Sequence, residues 1–191
     1  MHNQLINAIK KYIPLLAPDI AVIETLFDKK TLAKGELFLQ EGKICRELGF
    51  IYKGLVCYYV TIDDTEVVHN FAMENDFICN YDSFINKTAS HKNIIALEPS
   101  ELLCISFDKL QQLYKSISNG ERFGRLHMEH VYTDAIKHII SFYTNTPQQR
   151  YGEFVRTHEE LLQRVPQYYI AAYIGIKPQS LSRIRKRMLK S

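Results

Sequence analysis

Residues 166–190 read PQYYIAAYIGIKPQSLSRIRKRMLK, and their spacing is that of two short helices about a tight turn. Where a second helix crosses a first near a right angle, the first needs a small residue, and Ala171 occupies that place. The turn wants a residue that accepts positive φ, and Gly175 follows at the right distance. Pro178 stands where the second helix begins, a position at which its missing N–H costs no hydrogen bond. Leu181, Ile184 and Met188 then recur at steps of three and four and face Ile170, Ile174 and Ile176 of the preceding segment. The opposite face is polar and basic, carrying Gln179, Ser182, Arg183, Lys186 and Lys190.

Charge follows the same division. The net charge is only +3, yet from Leu161 onward the sequence has no acidic residue, against Arg164, Lys177, Arg183, Arg185, Lys186, Arg187 and Lys190. Basic charge gathered on one terminal module suits a phosphate backbone. A helix-turn-helix lays its second helix in the major groove, where Gln pairs with adenine and Arg with guanine through two hydrogen bonds each. The candidate DNA-contacting set is therefore Lys177, Pro178, Gln179, Ser180, Ser182, Arg183, Arg185, Lys186, Arg187 and Lys190, with Arg185, Arg187 and Lys190 placed toward phosphates. The bland alternative is a basic helical hairpin that contacts no DNA.

Upstream, Asn119 to Asn145 contains no proline and reads as one long helix. Met128, Tyr132, Ala135, Ile139 and Phe142 alternate steps of four and three along it, a heptad seam, and Ile136, Ile140 and Tyr143 broaden that face. Such a seam either joins two subunits or packs on the rest of its own chain. Thr146-Pro147 signals a new helix, expected to run as PQQRYGEFVRTHEELLQRV to Pro166.

The first part of the chain has another character. Residues 4–27 read as two helices broken near Pro14, the second opening at Pro18-Asp19. After them come LAKGELFLQEGK (32–43), GFIYKGLVCYYVTIDDTEVVHNF (49–71) and NIIALEPSELLCISF (93–107), rich in Val, Ile, Tyr and Phe. Turn signals at Lys34-Gly35, Glu41-Gly42, Lys53-Gly54, Asp63-Asp64 and Glu98-Pro99-Ser100 punctuate these runs as in an antiparallel sandwich or barrel. DKLQQLYKSI (108–117) returns to helical period. The expected class is α+β, divided into residues 1–117, a long helix over 118–145, and an all-helical unit over 146–191.

Composition narrows the class further. Of the 191 residues, 46% are hydrophobic and 24% charged, the balance of a folded globular chain. No run is long and apolar enough to span a bilayer, and MHNQLINAIKKYIP does not read as a secretory leader, so a cytoplasmic protein with no membrane partner is expected. Cys45, Cys57, Cys79 and Cys104 are far apart and read as reduced core residues. His127 and His130 stand three apart, a metal-chelating spacing that more simply reads as a solvated or interfacial pair. His69 and His91 make no H-x-H pattern, which leaves an enzyme on a β-barrel without a catalytic or metal cluster. No metal or cofactor is expected.

The order of these parts resembles the Crp/Fnr family of bacterial regulators along nearly the whole chain. The resemblance rests on LAKGELFLQEGK, GFIYKGLVCYYV, NDFI (75–78) and YIAAYIGIKPQSLSRIRK (169–186). It is closest in kind to short members common in Bacteroidetes, which lack a β-hairpin before the recognition unit. The resemblance implies an antiparallel β jelly-roll sensor domain of the cyclic-nucleotide-binding type, a long dimerisation helix and a DNA-binding helix-turn-helix. Its implied partners are double-stranded DNA at a palindromic promoter site, a second copy of the chain, RNA polymerase and a small-molecule effector. Base reading would fall to Pro178, Gln179 and Arg183, and Lys177 stands where members often carry a capping Ser or Thr.

The sensor departs from that pattern. Cyclic-nucleotide-binding members carry Gly-Glu after the equivalent of NDFI and Arg-Ser before the next strand, for ribose and phosphate respectively. Here the corresponding positions are Cys79-Asn80 and Ser90-His91, with His91 and Lys92 as the nearest cationic substitutes. Without the arginine the phosphate loses a charge-assisted pair, so cyclic AMP is not expected to bind in the usual mode. The clustered N-terminal cysteines of the oxygen-sensing branch are also missing. Two readings stand: a dimeric DNA-binding regulator with an unknown effector or none, or a ligand-binding signalling module whose helix-turn-helix contacts protein.

Overall fold

The computed structural model describes residues 1–188. The chain opens with helices α1 (His2–Lys10) and α2 (Ala17–Leu26). Asp19, in the first turn of α2, accepts the Leu16 N–H at 2.8 Å and the Ser118 N–H at 2.8 Å. These backbone donors hold its carboxyl below the usual aspartate range and tie the start of α2 to the segment that leads into the long helix.

Strands β1 (Asp28–Leu32), β2 (Leu37–Leu39), β3 (Glu47–Lys53), β4 (Val56–Ile62), β5 (Thr65–Ala72) and β6 (Phe77–Ile78) follow. After the short helix α3 (Tyr81–Asn86) come β7 (Asn93–Ala96) and β8 (Ser100–Ser106). One sheet has the order β1-β8-β3-β6 and the other β2-β7-β4-β5. In the first, β8 runs antiparallel to both neighbours, with Cys104 opposite Asp28 on one side and Gly49 on the other. The turn residues behave as their chemistry requires. Asp63 and Asp64 both have positive φ, as a two-residue hairpin turn matched to strand twist demands. At Gly54 φ is 122°, and a Cβ would lie 2.1 Å from Ser100 Oγ, so only glycine fits.

Helices α4 (Phe107–Ser116), α5 (Gly120–Thr144), α6 (Pro147–Thr157), α7 (Leu161–Arg164), α8 (Gln167–Ile174) and α9 (Pro178–Met188) complete the chain. Among the described residues no strand lies between α5 and α9, and no helix is long and apolar enough to cross a membrane. The single helix expected from Pro147 to Pro166 is in fact two. It breaks at His158, whose φ of −135° and ψ of 44° are not helical.

Contacts divide the chain into two compact units. The first contains Met1–Tyr58 and Phe71–Val131. Its core draws Phe50, Ile51 and Leu102 from one sheet and Leu39, Val56 and Ile94 from the other, so the sheets share one interior. Leu5 and Ile9 of α1, Ile23 of α2, and Leu110 and Leu113 of α4 close it. The second unit contains Tyr59–Asn70 and the chain from Tyr132 onward. Among its buried side chains are Tyr151 and Phe154 of α6, Leu161 of α7, Tyr169, Ile170, Ala171 and Ile174 of α8, and Leu181 of α9.

Candidate nucleic-acid interface

The interface is built around the α8–α9 turn. Ala171 is fully buried (0% exposed). Gly175 closes α8 with φ 77°, and the pair of bonds Gly175 N–H to Ala172 O and Ile176 N–H to Ala171 O, each 3.0 Å, satisfies carbonyls the helix end leaves open. The Leu181 N–H reaches Lys177 O at 3.2 Å, which makes Lys177 the N-cap of α9. Its side chain has no oxygen to offer the free N–H groups of the first turn, so those donors are left to solvent or to an anionic ligand.

Leu181 is 1% exposed and anchors α9. Ile184 is half-buried and Met188 exposed, so the apolar face of α9 is strongest at its N-terminal half. Lys177, Pro178, Gln179, Ser182, Arg183, Arg185, Lys186 and Arg187 are exposed, and Ser180 is half-buried. Lys190 lies outside the described residues. No hydrogen bond or ion pair among the described residues engages the side chain of Gln179, Ser182, Arg183, Arg185 or Lys186. A groove of about 350 Å³ runs beside α9, lined by Gln167, Pro178, Leu181, Ser182, Arg185 and Lys186. Gln167 was not singled out from the sequence; the signal was a polar residue opening the first helix of the pair.

Of the heptad residues on α5, Met128 is half-buried, and Tyr132, Ala135, Ile139 and Phe142 are exposed. Ile136, Ile140 and Tyr143 of the second stripe are exposed as well. Phe142 also meets the helix-turn-helix of its own chain: a Cβ on Gly175 would lie 3.0 Å from its ring. His127 packs in the first unit, its Nδ1 3.4 Å from Tyr12 Oη and its ring 5.0 Å from that of Phe77, while His130 is exposed. Burial holds His127 below the ordinary histidine range.

In the first unit the segment after β6 is closed on itself. Asn80 is 2% exposed, and its Nδ2 donates to Ser90 Oγ at 2.8 Å. Ser90 Oγ donates in turn to Lys92 O at 2.7 Å and accepts the Lys92 N–H at 3.1 Å. Ser83 Oγ accepts the Cys45 N–H at 2.9 Å and donates to Thr88 O at 2.6 Å. Burial pushes the Cys79 thiol up to about 12 and pulls the Lys92 ammonium below its usual range, while His91 is exposed. No group of three or more His, Cys, Asp or Glu side chains among the described residues could hold a metal ion.

Residues 29–117 match the family model described as the cyclic nucleotide-binding domain. No curated protein matches the chain. Among solved structures, FixK2 from Bradyrhizobium japonicum superposes with a TM-score of 0.75 at 13% identity, covering 86% of this chain and 85% of that one. A putative transcriptional regulator of the Crp/Fnr family from Eubacterium rectale gives 0.70 at 14% identity, covering 94% and 88%. The c-di-GMP responsive global regulator CLP from Xanthomonas campestris gives 0.68 at 18% identity, covering 92% of each chain.

The chain has the Crp/Fnr fold. In this Crp/Fnr-fold protein the resemblance read from the sequence places Cys79-Asn80 and Ser90-His91 where cyclic-nucleotide-binding members of that family hold ribose and phosphate. Asn80 and Ser90 spend polar atoms on each other, and neither supplies a positive charge to a buried phosphate.

Proposed function

We propose that this chain is a sequence-specific, DNA-binding transcription regulator that works as a homodimer. Residues 1–117 form its sensor, 118–145 its dimerising helix and 146–191 its DNA-binding unit. The observation that carries the reading is the uncommitted face of α9: the side chains of Gln179, Ser182, Arg183 and Lys186 are exposed and have no partner among the described residues, on a helix anchored by Leu181 and following an α8 whose Ala171 is buried. Side chains held in that way can reach base edges without first breaking internal bonds, and Gln179 and Arg183 have the donors to read adenine and guanine. Ser182 and Lys186 continue that polar face, Arg185 and Arg187 supply phosphate-facing charge, and Lys177 and Pro178 present the first turn of α9. The paired Asn80 and Ser90 support a sensor that does not take cyclic AMP in the usual manner, whatever other effector it binds.

Purified protein is incubated with fragments of its own genome at physiological salt, and the retained DNA is sequenced. A palindromic motif is the expected result; retention that is motif-free and salt-sensitive would leave only phosphate binding and overturn the reading. On the recovered motif, Arg183→Ala should weaken binding by about 1–3 kcal/mol and relax preference at one base per half-site. The melting temperature should not change, because the Arg183 side chain is exposed and has no partner among the described residues.

A further inference from the structure

Arg150 on α6 is bound to backbone rather than to a carboxylate. It is half-buried, and no carboxylate among the described residues pairs with it. Its guanidinium instead serves backbone carbonyls. Nε donates to Ile174 O at 2.9 Å, and Nη1 donates to Asn145 O at 2.7 Å and to Phe142 O at 3.4 Å. Ile174 is the last residue of α8, Phe142 lies in the last turn of α5, and Asn145 follows that helix. The final carbonyls of a helix have no partner within it and carry its negative pole, so a cation there is favoured twice. One planar group thus caps the C-terminal ends of two helices.

The third component is the ring of Phe142. The guanidinium carbon lies 4.8 Å from its centroid, within range of a cation–π contact. The same ring stands where a Cβ on Gly175 would approach to 3.0 Å. Arg150, Phe142 and Gly175 therefore form one joint, between the end of the long helix and the turn that launches α9. Arginine suits the place because its fork holds several donors in one plane; lysine offers a single point charge on a flexible stem.

We infer that Arg150 is the positioning residue that fixes the helix-turn-helix against the C-terminal end of α5 and so sets the direction in which α9 is presented. The inference rests on the regulator reading only for its consequence on DNA; the joint itself lies within one chain. In a dimer paired through α5, the separation and tilt of the two α9 helices would then be set by Arg150, and with them the half-site spacing the protein accepts.

The test uses the full-length protein carrying spin labels at Lys137→Cys on α5 and Tyr168→Cys on α8, diluted with unlabelled protein so that distances within one chain are read. The Arg150 background should give one narrow distance. Arg150→Met should broaden or shift it, and Arg150→Lys should fail to restore it, with helical content by circular dichroism unchanged. If Arg150→Met does not fold, Arg150→Lys alone decides, because it keeps the charge and removes the fork. A distribution in either folded variant that matches the parent would overturn the inference.

A second arm uses the selected palindrome and a copy with one base pair inserted at its centre. The parent should prefer the native spacing by roughly tenfold or more, and the variants should bind both within about twofold. Variants that keep the parent's spacing preference would also overturn the inference. Absence of any preference in the parent, with distances that still depend on Arg150, would sink the regulator reading and leave the joint standing.

Discussion

Gly175 is held to glycine by two separate demands. Its φ of 77° belongs to the left-handed region, and the space where a Cβ would stand is 3.0 Å from the Phe142 ring. An L-residue in that conformation costs roughly 1–2 kcal/mol, and the ring cannot retreat freely while Arg150 lies over it. Gly175→Ala should therefore lower stability by about 1–3 kcal/mol in denaturant unfolding of the full chain; an unchanged midpoint would show that the turn relaxes into another conformation. Gly175 and Ala171 were legible in the sequence because their roles are set by neighbours four residues away on a repeating helical frame. Arg150 was not. Its acceptors lie at Phe142, Asn145 and Ile174, and only the folded chain brings the ends of α5 and α8 to one guanidinium. Asn80 and Ser90 could be singled out as departures from a resembling family, but the bond between them needs the fold.

At the scale of elements, the sequence fails most clearly between α6 and α7. Apolar periodicity and the absence of proline favour one helix to Pro166, whereas α6 ends at Thr157. Local side-chain contacts at the end of α6 and the burial of Leu161 accompany the break. The His158 ring stacks on Phe154 at 5.1 Å, Thr157 Oγ1 donates to Glu153 O at 2.8 Å, and Leu161 turns inward to 1% exposure. The strands and the long helix were readable because their turn and cap residues are local; α3, only six residues long, carried no such marker. The same break gathers His138 of α5, His158 and Tyr173 of α8, with His138 Nδ1 3.2 Å from Tyr173 Oη. Burial lowers the pKa of His138, Glu153 opposes and Arg150 adds to the shift. Burial also lowers His158, joined by the proximity of His138 and opposed by the Phe154 backbone and Glu153. Both rings are thus neutral in the fold at a pH where the unfolded chain already takes up protons. Their contribution to stability is complete above the unfolded value of about 6.5 and is lost as pH falls through the lowered folded values. The denaturation midpoint should fall between about pH 7.5 and about pH 5.5, and His138→Gln with His158→Gln should flatten that fall. His127 in the first unit adds a slope of the same sign, so the double variant is compared with its parent rather than with a flat line. An equal slope in both would show that α5, α6 and α8 do not feel these rings.

At the scale of the molecule, α5 poses the remaining problem, since a helix of 25 residues is stable in water only if something covers its apolar side. In the single chain Tyr132 is 66% exposed, Ile139 49%, Ile140 53% and Tyr143 88%. Two neighbouring stripes of one helix are thus open together, and isolated globular chains rarely leave a contiguous apolar band of that kind uncovered. A second copy paired along α5 would cover the band symmetrically and place two α9 helices on one two-fold axis, matching a palindromic site. Ile139→Asp places a charge in the middle of the seam and should give monomers in sedimentation experiments. Helical content should be retained, because Ile139 belongs to neither core. The expected effect on DNA follows from linkage of the two half-sites. Each half-site bound raises the effective concentration of the second reader, so separating the subunits should weaken palindrome binding by roughly 10²–10⁴-fold while single half-site binding stays the same. Equal loss on half-site and palindrome would mean that Ile139→Asp damages α9 directly through the Phe142 joint. A variant that remains dimeric would move the subunit interface off the Tyr132–Ile139 seam and onto another face of the chain.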